Sequence, residues 1–190
     1  MAIPNRNANP ATILSPARTF FATTKASMGR RLLQSERNAG LLTDVMRSLV
    51  AEQKFQLHDF VVMPDHLHVL LTVGEAMTIE KAMQLIKGRF SHRLTKELGH
   101  PGEVWQRGFS EVQIMNRESF LQHRACIAMN PVRAGLVDSP EEYPFCFGYL
   151  AKQKLERRQQ AGAEAPAILV GSVGTTEVVP CYKAPSPLES

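Results

Sequence analysis

Residues 55–73 read FQLHDFVVMPDHLHVLLTV. Two runs rich in Val, Leu and Phe flank Pro64-Asp65, a pair that ends one extended segment and opens a turn. They predict an antiparallel hairpin with strands over Phe55–Met63 and His66–Val73. Successive side chains on a strand point to opposite faces, so His66 and His68 share a face while Leu67 and Val69 take the other. Two imidazoles roughly 6–7 Å apart along a strand can converge on one divalent ion. Neutral imidazole is an ordinary ligand for Mn, Fe, Co or Zn, and two ligands leave positions open for substrate oxygens. A bare His-x-His also occurs as two polar residues on a half-exposed strand. Here the strand is unusually apolar, and Asp65 stands where a carboxylate can orient an imidazole from behind.

Outward from the hairpin, aromatic and Thr-rich Arg18–Ala26 predicts a strand. Ser35 then precedes Leu41, Leu42, Val45, Leu49 and Val50 at helical spacing. After the hairpin, Thr78 opens a second helix whose stripe is Ile79, Ala82, Met83, Ile86, Phe90 and Leu94, broken by Gly99–Gly102. A fourth strand is expected over Val104–Met115. A third helix is expected from Arg117 to about Met129, ended by Asn130-Pro131, because proline disfavours helical geometry in the residue before it. The order β-α-β-β-α-β-α contains, in its first six elements, the ferredoxin-like split βαβ arrangement of the α+β class, an antiparallel sheet with helices packed on one face.

The 190 residues suit one body with tails. Residues 1–16 read as a flexible arm, 17–150 as the folded domain, and 151–190 as a basic helix followed by a disordered tail. Lys and Arg total 22 against 18 Asp and Glu, a small basic excess compatible with a polyanionic partner. Cys126, Cys146 and Cys181 have no paired spacing, so neither a disulfide framework nor a zinc knuckle is indicated, and a cytoplasmic setting is the default. No apolar run approaches the ~20 residues that span a bilayer, so no membrane partner is expected.

The second informative stretch is residues 123–136, HRACIAMNPVRAGL. On a helix, Gln122, Cys126 and Asn130 share a face. If that face lies across His66 and His68, Asn130 offers an oxygen ligand and Cys126 stands one turn back. Equally, Cys126 reads as a small buried hydrophobe and Asn130 as a helix-end residue. Among the basic residues, Lys87, Arg89, Arg93 and Arg107 are the densest candidates for phosphate contacts, beside a reading as a solvated face. Trp105 and Phe109 suit either stacking on unpaired bases or core packing. Lys152, Lys154, Arg157 and Arg158 suit either a grip on DNA or solvation of a helix.

VVMPDHLHVLL, KGRFSHRL, VWQRGF, NPVRAGLV and PEEYPF, in that order between Phe20 and Leu150, resemble the REP-associated tyrosine transposases of the single-tyrosine HUH nuclease superfamily. The resemblance implies a ferredoxin-like fold and a divalent cation, Mg or Mn, held by His66 and His68 with help from Asn130. It implies action on single-stranded or hairpin DNA: a tyrosine attacks the scissile phosphate, giving a 5′-phosphotyrosine bond and a free 3′-OH that strand transfer later reverses. It also implies a monomer, with a dimer as the alternative. The pattern Y-I-x-x-N-P-V stands here as Cys126-Ile127-Ala128-Met129-Asn130-Pro131-Val132. The tyrosine position holds Cys126. A thiolate can attack phosphorus, but its sulfur reaches roughly 4–5 Å less far than a tyrosine hydroxyl, and in-line attack tolerates little displacement. The resemblance therefore implies either altered cleavage chemistry at Cys126 or a hairpin-binding protein whose cleavage has lapsed.

Overall fold

The computed structural model describes residues 17–160. The expected arm 1–16 and tail 161–190 lie outside the described residues, as do the side chains of Arg157 and Arg158. Four strands, β1 (Ala17–Lys25), β2 (Gln56–Val62), β3 (His66–Gly74) and β4 (Ser110–Ile114), alternate with α1 (Glu36–Ala51), α2 (Ile79–Leu98), α3 (Arg117–Arg133) and α4 (Phe147–Gln160). The sheet order is β2-β3-β1-β4, and every pair is antiparallel. This is the sheet expected of the first six elements.

Local chemistry sets the helix starts. Ser35 caps α1 by accepting from the Asn38 amide, Thr78 caps α2 by accepting from the Lys81 amide, and Asn116 caps α3 by accepting from the Ser119 amide. Gly99, at φ 64, ends α2 in the left-handed conformation that glycine adopts without strain.

The sheet has two unequal faces. Phe20, Ala22, Phe60, Val62, Leu67, Val69, Leu71 and Val73 point into the main core beneath α1 and α2. The opposite face carries a smaller cluster of Phe21, Val61, Met63 and Leu70, closed by Ile127 of α3 together with Tyr143 and Cys146. The two crossover helices thus share one side, and α3 covers the other. That second side is the one bearing His66 and His68.

Three elements depart from expectation. The fourth strand is only Ser110–Ile114; Val104 and Trp105 are buried, but Trp105 joins the sheet through one isolated bridge to Ala26. Those apolar residues imitate a strand while serving as core under α2. The third helix does not stop at Met129 but runs through Pro131 to Arg133. Proline here removes only the bond its own N–H would have given the Ile127 carbonyl, a small loss in a last turn where Ala134 N–H still reaches Asn130 O. The basic helix expected from residue 151 starts earlier, at Phe147.

Tyr143, in the PEEYPF segment, donates its hydroxyl to Val62 O at 2.7 Å, and burial raises its phenol to about 12. Tyr143→Phe leaves that carbonyl with one partner fewer on a dry face. We expect a loss of about 1–2 kcal/mol in urea unfolding, with an unchanged m-value.

Candidate metal centre

β3 delivers the histidine pair as its alternation requires. Leu67 and Val69 are fully buried in the main core, and the His66 and His68 rings lie on the opposite face with centroids 4.7 Å apart at 77°. Each ring is held at its Nδ1. His66 Nδ1 contacts Asp65 Oδ1 at 2.7 Å, and His68 Nδ1 contacts Thr23 Oγ1 at 2.6 Å across the β1–β3 pairing. Among the described residues neither Nε2 has a protein partner, so both remain as ligand atoms. Burial, reinforced by the neighbouring His66 and Lys25, depresses His68 to about 3, so its imidazole is neutral, the form that ligates metal. This donor set fits a divalent ion with open positions. No group of three or more His, Cys, Asp or Glu side chains among the described residues could close a structural site.

α3 is laid over this face by contacts that fix its direction. Phe120 meets His58 edge-on at 5.4 Å, Arg124 Nε reaches Asp59 Oδ2 at 3.1 Å, and Ile127 packs with Val61 and Met63. The helix therefore runs alongside β2 from His58 toward Met63, whose N–H bonds His66 O. Asn130 lies one turn beyond Ile127, toward the His66 end of β3. Cys126 is on the same helix face but is 3% exposed, and its sulfur is in a disulfide, so it is not a free thiol; this corrects the expectation from cysteine spacing, which does not register a pairing between residues distant in sequence.

Phe21 ties the two layers together. Its ring stacks on His68 at 5.3 Å and meets His123 of α3 at 4.8 Å. His123 Nδ1 is fixed by Ser119 O at 2.7 Å. Phe21, Thr23, Lys25 and His123 were not singled out as site residues by sequence reasoning. The signal that finds the β1 three is the odd-numbered alternation along β1, read against the pairing of Lys25 with His66 and Thr23 with His68.

The α2 cations are not beside the pair. α2 packs on the far side of the sheet, and the three α2 cations expected to contact phosphates have protein partners. Lys87 donates to Gln106 O at 2.8 Å and Gly108 O at 2.7 Å, and burial lowers its ammonium. Arg89 makes a two-point ion pair with Glu52, the residue that follows α1, and Arg93 pairs with Glu97 at 2.6 Å. Trp105 is 6% exposed, packs on Phe90 at 5.4 Å and donates Nε1–H to Lys87 O, so it is core. Arg107 is exposed. On the histidine side, Lys25 is an exposed cation, paired in register with His66.

Asp59 bears on how α3 stays docked. Its carboxylate is largely buried, and desolvation raises its pKa despite the opposing pull of Arg124. Arg124→Ala strands that charge. We expect a loss of about 2 kcal/mol at pH 7. A folded carboxyl raised above its unfolded value binds the extra proton in the folded state, so stability is recovered as pH falls toward the unfolded value. Chemical unfolding of Arg124→Ala at pH 7 and pH 5 should show the penalty shrinking at the lower pH.

A family model described as "Transposase IS200 like" matches residues 25–123, and so ends three residues before Cys126. The REP-associated tyrosine transposase of Escherichia coli (strain K12) is 25% identical over 127 residues, covering 66% of this chain and 73% of that one. A solved structure of a REP-associated tyrosine transposase bound to a REP hairpin shares the fold, with a TM-score of 0.58 and 24% identity over 85% of this chain and 90% of that chain.

Proposed function

Because the chain belongs to the IS200-like transposase family, we propose that it binds single-stranded or hairpin DNA over the sheet face that α3 covers, and that strand cleavage there has lapsed. The observation that carries this reading is the pair of imidazoles on β3, with both Nε2 atoms without a partner among the described residues, beneath a helix whose residue 126 is a buried cysteine. The hairpin bound by the solved relative supports the choice of partner. A divalent ion, Mg or Mn, held by His66 and His68 with the Asn130 amide as an oxygen donor, would neutralise charge at a scissile phosphate when bound. Asp65 orients His66, Phe21 and Thr23 fix His68, and Lys25 draws the DNA backbone toward them, with Arg107 as a second phosphate contact. All of these groups come from one chain, so a monomer suffices.

What is missing is the attacking group. Cleavage needs an oxygen or sulfur in line with the phosphorus, and the Cys126 sulfur is buried and bonded. The test is a labelled hairpin oligonucleotide with a single-stranded flank, incubated with the protein, Mn²⁺ and a thiol reductant. Binding that weakens with salt, without product, is expected. Lys25→Ala should reduce the salt slope by about 1. Absence of binding at low salt overturns the reading, and a cleaved strand under reduction assigns the chemistry to the Cys126 thiolate instead.

A further inference from the structure

The two histidines are held by unlike partners. Asp65 offers His66 a carboxylate, which only accepts, so the neutral form of His66 carries its proton on Nδ1 and leaves Nε2 bare. Thr23 offers His68 a hydroxyl, which can either accept from Nδ1–H or donate to a bare Nδ1. In the first arrangement His68 Nε2 has a lone pair for an ion. In the second, Nε2 carries the proton and cannot ligate.

From this asymmetry, and resting on the metal reading above, we propose that Thr23 is a positioning residue whose hydroxyl orientation selects the tautomer of His68 and so sets cation affinity. Thr23 lies directly across the ladder from His68, and the stacked Phe21 ring restrains the imidazole plane, so the 2.6 Å contact leaves rotation of the hydroxyl hydrogen as the free choice. The neutral His66 has one tautomer, the binding one, whereas the neutral His68 has a choice of two. Ion capture then turns one hydroxyl and moves one proton between the nitrogens of one ring, with no net proton released. Removing the hydroxyl faces Nδ1 with methyl groups. A buried bare nitrogen is tolerated there better than a buried unbonded N–H, so the ring shifts to the Nε2–H form that opposes binding.

The test compares the full chain with Thr23→Val and Thr23→Ser, the latter restoring the hydroxyl. Ring ¹⁵N shifts of His68 in metal-free protein report the tautomer, and Mn²⁺ titration reports affinity. We expect Thr23→Val to hold His68 in the Nε2–H form and to weaken Mn²⁺ binding by about 10–100-fold, with Thr23→Ser within about threefold of the parent. Thr23→Val that binds Mn²⁺ like the parent, while His66→Ala does not, overturns the role of Thr23. A parent whose His66 and His68 resonances are untouched by Mn²⁺ overturns the metal reading itself, and the proposal with it.

Discussion

Cys126→Tyr is expected to convert a binding protein into one that cleaves. With Mn²⁺ and a hairpin carrying a single-stranded flank, the substituted chain should yield a shortened strand and a covalent protein–DNA adduct. The chemistry balances: the phenolate oxygen bonds to phosphorus, the 3′-oxygen leaves with the proton it gains from water, and a 5′-phosphotyrosine remains. The expected gain over the cysteine parent is about 100-fold or more. Misplacement of a reacting atom by 1 Å can cost that much, and the sulfur falls short of a tyrosine hydroxyl by roughly 4–5 Å. The new ring enters a site where Cys126 is 3% exposed, so overpacking should cost about 1–3 kcal/mol of stability, in addition to the loss of the disulfide, which Cys126→Phe shares. Cys126→Phe separates the two effects, because it brings the same ring and no attacking oxygen. Adduct from Cys126→Tyr, none from Cys126→Phe and none when His66→Ala is added would place the reaction at the histidine pair. A tyrosine variant that binds the hairpin but leaves it intact would mean that more than the nucleophile has been lost.

Much of this frame was legible because its signals are local. Ser35 and Thr78 cap the helices they were read to start, Pro64-Asp65 turns the chain between β2 and β3, and the alternation through Leu67 and Val69 puts both histidines on one face. The misreadings came from partners distant in sequence. Arg89 looked like a free cation because Glu52, which pairs with it, sits just past the end of α1. Lys87 looked exposed because the Gln106 and Gly108 carbonyls that fix it belong to the loop before β4. Trp105 suited either a stacking platform or core, and the packing of α2 on the sheet decides for core. Arg93 is the exception, since Glu97 four residues on is the spacing of a helical ion pair. The converse error, overlooking Thr23 and Lys25, has the same origin. Their role depends on the register of β1 against β3, which the order of elements alone does not fix.

Phe21→Ala should be among the most damaging single changes, and damaging in a way that its sequence neighbour Phe20 is not. Both rings are nearly buried, at 7% and 6% exposed, and truncating either should cost about 3–5 kcal/mol in urea unfolding. Phe20 faces the large core under α1 and α2, whose many other contacts hold that layer in place. Phe21 faces the small cluster beneath α3, where it stacks on His68 on one side and meets His123 on the other. Its loss removes the restraint on the His68 ring and one of the few apolar contacts docking α3. The two variants should therefore be equally destabilised yet differ in the folded state. Phe21→Ala should show faster amide exchange along α3 and weaker Mn²⁺ binding, while Phe20→Ala keeps both near the parent values. If amide exchange in α3 and Mn²⁺ affinity proved alike in the two variants, Phe21 would be ordinary core, and the coupling of α3 to the histidine pair would have to run through Ile127 and Met63 instead.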